Sequence, residues 1–136
     1  MTTTEHLRPL PRPTRLSAPF WDGCREGELR AQQCRDCGGF VFLPQEFCSH
    51  CLGLDLSWVP CSGEGEIVSF TVIGRAQTPA FATPYVVAVV RLREGHEMLT
   101  NIIDAAPADV TVGAAVTVSF LPVTAETTLP CFVLAG

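Results

Sequence analysis

The chain has 136 residues, nine basic against fourteen acidic, for a formal charge of −5, and it is 47% hydrophobic but only 17% charged. That is enough apolar matter for one compact core, or for a small metal module attached to a small barrel. The negative balance argues against a protein that holds a phosphate backbone by net charge, and no stretch approaches membrane-spanning length.

Residues 1–16 carry Pro9, Pro11 and Pro13, which forbid a regular helix or a central strand, and read as an extended tail with a local basic cluster at Arg8, Arg12 and Arg15. They lack the apolar run of a signal peptide, which predicts a cytoplasmic, reducing setting. A helical segment is expected over 17–33. Ser17 is placed to cap it and Pro19 falls in its first turn. Phe20, Trp21, Cys24 and Leu29 form an apolar stripe near helical spacing, interrupted by Gly23 and Gly27. Two glycines weaken an isolated helix by about 1 kcal/mol each, so the segment is either two short pieces or one helix held by packing. Phe20 and Trp21 either cap the core or anchor a partner.

The span 34–60 holds the clearest signal. Cys34-Arg-Asp-Cys37 and Cys48-Ser-His-Cys51 are two Cys-x-x-Cys knuckles either side of a hydrophobic hairpin. Four thiolates at this spacing close a tetrahedron around one Zn²⁺, and a closed four-cysteine set is structural, with no open position for chemistry. Gly38 and Gly53 follow the knuckles, where a turn without a Cβ is expected. His50 could substitute as a ligand, but the four cysteines make that unnecessary. Phe40–Leu43 reads as a strand ended by Pro44, and Asp55–Pro60 as another. Cys24, Cys61 and Cys131 remain as buried thiols acting as small apolar groups.

Residues 61–136 are expected to form the barrel, and from Gly63 the period changes to two. Residues 66–75 place Val68, Phe70 and Val72 on one face and Ile67, Ser69, Thr71 and Ile73 on the other. After the Gln77–Pro84 loop come strands over 85–93 and 96–103, joined by a turn at Glu94-Gly95. A single helical turn is expected at Pro107–Val110, then strands after Gly113 and over Leu129–Ala135. Five strands beginning with an antiparallel meander of three suit a closed barrel of the OB type. The predicted whole is mainly β: a helical segment, a rubredoxin-like zinc ribbon and a five-stranded OB-fold barrel. There is no Gly-rich phosphate loop, dinucleotide fingerprint, Gly-x-Ser-x-Gly elbow or zincin helix, and Glu64 and Glu66 read as solvated turn residues.

Phe20-Trp21-Asp22-Gly23, Gly27-Glu28-Leu29, the two knuckles and Phe42-Leu43-Pro44 together resemble the N-terminal half of a known family. The likeness continues through Ser62-Gly63-Glu64-Gly65, Ser69–Val72, Pro84–Ala88, Asn101-Ile102 and Val112-Gly113, covering residues 18 to about 135. It is the zinc-ribbon plus OB-fold family associated with acyl-CoA enzymes, long described as a domain of unknown function. The resemblance implies an accessory, non-catalytic subunit. Family members bind thiolase-like aldolases, synthase assemblies or acyltransferases, or are fused to hydratase domains. Where many relatives carry a basic residue after the proline, this chain has Gln45.

The expected function is therefore a partner of a thiolase-like aldolase or acyltransferase that helps form its acyl-CoA site, with a steroid-type acyl group as the first expectation. Phe20, Trp21, Pro79 and Phe81 are candidate partner contacts, and Arg25, Arg30 and Arg75 candidate CoA contacts by charge and position. One alternative is a single-stranded nucleic-acid module, which would need Arg75, Arg91 and Arg93 beside Tyr85 to build a basic, stacking groove. Another is a rubredoxin-like iron carrier, since a tetrathiolate also accepts iron.

Overall fold

The computed structural model describes residues 9–135; the tail expectation for residues 1–8 lies outside them. A helix, α1 (Ala18–Glu26), leads into β1 (Arg30–Cys34), β2 (Phe40–Val41) and β3 (Leu56–Pro60), an antiparallel sheet in the order β2-β1-β3. Five further strands follow: β4 (Glu64–Ile73), β5 (Tyr85–Leu92), β6 (Glu97–Ile102), β7 (Ala115–Pro122) and β8 (Thr128–Leu134). They close a barrel in the order β4-β5-β6-β8-β7, with β7 returning to β4 and β6 meeting β8 in parallel. The Pro107–Asp109 segment is a 3₁₀ turn. This is the expected architecture of helix, ribbon and OB-type barrel.

The helix is one piece, held by packing. It runs through Gly23 and stops at Gly27, whose φ of 79° is the left-handed conformation of a helix C-cap. Residues 27–33, expected as helical, therefore turn back and become β1. Ser17 occupies the cap position, but its hydroxyl makes no helix-capping bond; Oγ instead accepts the Thr14 amide at 2.8 Å. Phe20, Cys24 and Leu29 are buried with the barrel core.

The barrel core alternates along β5, where Val86, Ala88, Val90 and Leu92 point inward although the sequence is hydrophobic at both sets of positions up to Arg91. On β4 the predicted alternation fails. Ile67 pairs with Val90 and Ser69 with Val89, so Val68 is an extra, bulged residue. One inserted residue inverts the faces beyond it. Ile67 and Phe70 consequently both face the core, although strict period two separates them. The predicted strand over Phe40–Leu43 also stops early, at Val41. Phe42 leaves the sheet to pack edge-on against Phe20, with ring centroids 5.8 Å apart.

The ribbon has a small core of its own, formed by Cys34, Val41 and Cys48 with Leu56 beside them. Its larger side chains, Phe42 and Trp58, pack against the barrel core instead. His96, the last residue of the β5–β6 turn, stacks on Phe40 and Phe42 at 5.5 and 5.9 Å. Ribbon, helix and barrel thus meet through aromatic rings.

Candidate metal centre

The knuckles build the site by local hydrogen bonding. In the first, the Gly38 amide donates to Cys34 O and the Cys34 amide to Gly39 O, at 2.8 and 2.9 Å. In the second, the Leu52 amide donates to Cys48 O and the Cys48 amide to Gly53 O, both at 2.8 Å. The two turns are equivalent, and each needs a left-handed residue four positions after its first cysteine. Those residues are Gly38, φ 78°, and Leu52, φ 66°. The sequence expectation for Gly53 is corrected here: its backbone freedom is not used. Its role is spatial, since a Cβ there would lie 2.6 Å from Asp36 Oδ2, as one on Gly39 would lie 2.7 Å from His50 Cδ2. Each knuckle's second position after its last cysteine faces the third residue of the other.

The result brings together all four predicted ligands. The sulfurs of Cys34, Cys37, Cys48 and Cys51 lie within 4.8 Å of one another, with Cys34–Cys51 at 3.6 Å and Cys37–Cys48 at 3.7 Å. A disulfide would bring two sulfurs to about 2.05 Å. Four Zn–S bonds of about 2.3 Å arranged tetrahedrally place sulfurs about 3.8 Å apart, so the donor set fits Zn²⁺. The amides of Gly39 and His50 point at Cys37 and Cys48 Sγ, at 3.5 and 3.3 Å, and so favour thiolate. Burial works to raise the Cys48 thiol, but amide donors from Cys51 and His50 and the neighbouring thiols bring it down to about 7. With zinc bound, the four sulfurs close its coordination and leave no position for substrate; the group cross-links the ribbon. His50 is turned away, its Nε2 2.9 Å from Phe40 O.

Gln32 is a site residue that the linear pattern does not reveal. It is buried, and its amide clamps the backbone of Gln45, donating to O at 2.9 Å and accepting from N at 2.8 Å. That clamp holds the chain between the knuckles. A buried polar residue in a strand is its signal, and burial is a tertiary fact.

The other candidates do not gather at one point. Phe20 is buried and touches Trp21, which is half-buried. Pro79 is exposed and Phe81 stacks on Tyr85 at 5.5 Å, both in the β4–β5 loop. Arg25 is ion-paired with Asp22, and its guanidinium also reaches Glu126 O at 3.4 Å. Arg30 holds Glu26 and Glu28 at 2.8 and 2.6 Å and reaches Pro19 O at 3.2 Å, which locks the helix to β1. Arg75 is exposed, without an ion pair among the described residues. Arg91 and Arg93 are matched to Glu97 and Glu64. Cys24 and Cys131 are buried and Cys61 half-buried; burial, slightly opposed by Arg30, pushes the Cys24 thiol to about 12.

Comparison with known proteins agrees with this construction. Residues 21–57 match the family described as the rubredoxin-like zinc ribbon domain of ChsH2, and residues 58–121 its C-terminal OB-fold domain. The chain is 35% identical over 126 residues to a probable enoyl-CoA hydratase alpha subunit of Thermomonospora curvata, covering 93% of this chain and 40% of that protein. It is 33% identical over 111 residues to the 3-oxo-4,17-pregnadiene-20-carboxyl-CoA hydratase alpha subunit of Mycobacterium tuberculosis, covering 82% of this chain and 35% of that protein. The chain therefore spans well under half the length of these relatives. Among solved structures it resembles a chain of the Ltp2-ChsH2(DUF35) aldolase, with a TM-score of 0.85, 33% identity and coverage of 93% of this chain and 99% of that one. With its four-cysteine ribbon and OB barrel, the chain belongs to the DUF35 family, in its ChsH2-type form.

Proposed function

We propose that the chain is a non-catalytic accessory subunit of an acyl-CoA enzyme, seated on a thiolase-like aldolase or acyltransferase and helping to form its acyl-CoA site. The carrying observation is the match along 99% of a chain from an Ltp2-ChsH2(DUF35) aldolase, in a protein whose one metal-type cluster among the described residues is closed to substrate. The hydratase names of the longer relatives belong to proteins of which this chain spans 40% and 35%, so hydration is not assigned to it. A steroidal acyl group is the proposed substrate class, supported by the pregnadiene-carboxyl-CoA relative. Arg75 is the proposed CoA contact, because Arg25 and Arg30 already hold carboxylates. The nucleic-acid alternative loses support, since Arg91 and Arg93 are neutralised and Phe81 covers Tyr85.

The test is co-expression of this chain with a thiolase-like subunit, using Ltp2 of the solved aldolase as the first probe. A stable hetero-oligomer whose acyl-CoA cleavage depends on this chain is expected. A monomeric chain beside an enzyme fully active without it would sink the proposal.

A further inference from the structure

The barrel is not zipped all the way round. Strands β6 and β8 face each other, yet they pair at a single register point, Ile102 with Phe132. The reason is legible in the parity of the backbone. Leu92 N donates to His96 O at 2.8 Å, so on β6 the residues bonded to β5 are Met98, Thr100 and Ile102. The amides and carbonyls of Glu97, Leu99 and Asn101 therefore point the other way, toward β8. Ile103 follows this parity, its amide donating to Phe132 O at 2.9 Å.

On β8 the matching position is Pro130, which has no N–H to give. Its carbonyl is taken by Thr100 Oγ1 at 3.1 Å. The seam is thus paired only at its Ile102–Phe132 end, and Glu97 and Leu99 on β6 have no strand partner for their outer backbone groups. Beside the seam lies a groove of about 250 Å³ walled by Phe20, Trp21, Phe42, Met98 and Leu129. Leu99, which also lines it, is 67% exposed.

We infer that the open edge of β6, Glu97–Leu99, receives an extended strand of the acyl-CoA enzyme subunit, which places an apolar side chain in this groove. The backbone edge dictates the form of the occupant and the aromatic walls its side chain. Area dictates its source. Ten residues line the groove, whereas a stable interface uses about 20–30 a side. Two copies joined here alone would not hold, while a strand from a large subunit with further contacts would. This inference rests on the proposed accessory role, and its test separates the two.

Backbone amide exchange is measured by NMR on the full chain, free and with Ltp2 of the solved aldolase as the probe. In the free chain the amides of Met98 and Thr100 exchange slowly and that of Leu99 fast. In the complex the Leu99 amide slows at least tenfold. Leu99→Pro, which deletes that outward donor but no β5 bond, weakens the complex by about tenfold. Its folding is checked by the unchanged protection of Val86 and Val90. A complex that forms with the Leu99 amide still fast overturns the inference and leaves the accessory role standing. Leu99 protection already present in the free chain, or rising with its concentration, overturns it in favour of a closed seam or a second copy. No complex at all overturns both readings.

Discussion

Among single residues, the cysteines matter most, because the ribbon core contains little else. Val41 and Leu56 cannot replace the cross-link, and small scaffolds with so few buried side chains depend on a metal. Structural zinc contributes about 10–16 kcal/mol in such modules, comparable with the whole stability of a domain. Cys34→Ser is therefore expected to unfold the ribbon, seen as loss of one zinc per chain by elemental analysis, with partner binding lost as a consequence. A Cys34→Ser chain that stays folded and still binds its partner while activity vanishes would contradict a structural centre. A coloured, iron-containing protein would instead favour the electron-carrier alternative.

At the level of elements, α1 shows propensity and packing pulling in opposite directions. Gly23 is exchanged for Ala at a gain of about 1 kcal/mol in an isolated helix. Here a Cβ would sit 2.6 Å from Glu28 O and 2.8 Å from Arg30 Cδ, and the first of these is backbone. Overpacking of this kind costs about 1–3 kcal/mol, so Gly23→Ala is expected to lower stability in urea unfolding despite its better propensity. An increase would mean that the helix shifts freely on the ribbon. The β4 bulge makes the same point for strands. Period two identifies the strand, but the face of Phe70 is set by the residue that slips at Val68.

For the whole molecule, the junction of ribbon and barrel is built on His96, whose Nδ1 is buried without a hydrogen-bond partner among the described residues. Burial lowers its pKa from the ordinary 6.5, and Glu94 opposes this only in part. A base with a lowered folded pKa stabilises above its unfolded value and loses that contribution as pH falls through 6.5 and below. His96→Phe keeps the stack on Phe40 and Phe42 and removes the titration. Its melting temperature is expected to fall less than that of the wild type between pH 7 and pH 5. Identical pH profiles would show that the junction does not feel His96. The zinc centre is shared by both proteins, so its own acid loss cancels in the comparison.

How much could be read beforehand follows from the range of each interaction. The sequence by itself determined the metal centre, because two Cys-x-x-Cys turns are local structures whose ligand spacing is covalent. It also determined the five barrel strands, since period two survives wherever one face is buried, but it missed β1, which was expected as helix. Local order could not determine the turn from α1 into β1 at Gly27, because a glycine both breaks and caps. Nor could it show that the αL position in the second knuckle is Leu52 rather than Gly53, which depends on a quasi-symmetric partner turn. The engagement of Arg25 and Arg30, the Gln32 clamp and the open β6–β8 seam were decided by tertiary structure alone. The carboxylate partners of Arg25 and Arg30 lie within four residues, and only their reach to Glu126 O and Pro19 O is long-range. The clamp and the seam require partners far apart in the chain to meet, as Thr100 and Pro130 do, and the free energy that brings them together is burial of the barrel core.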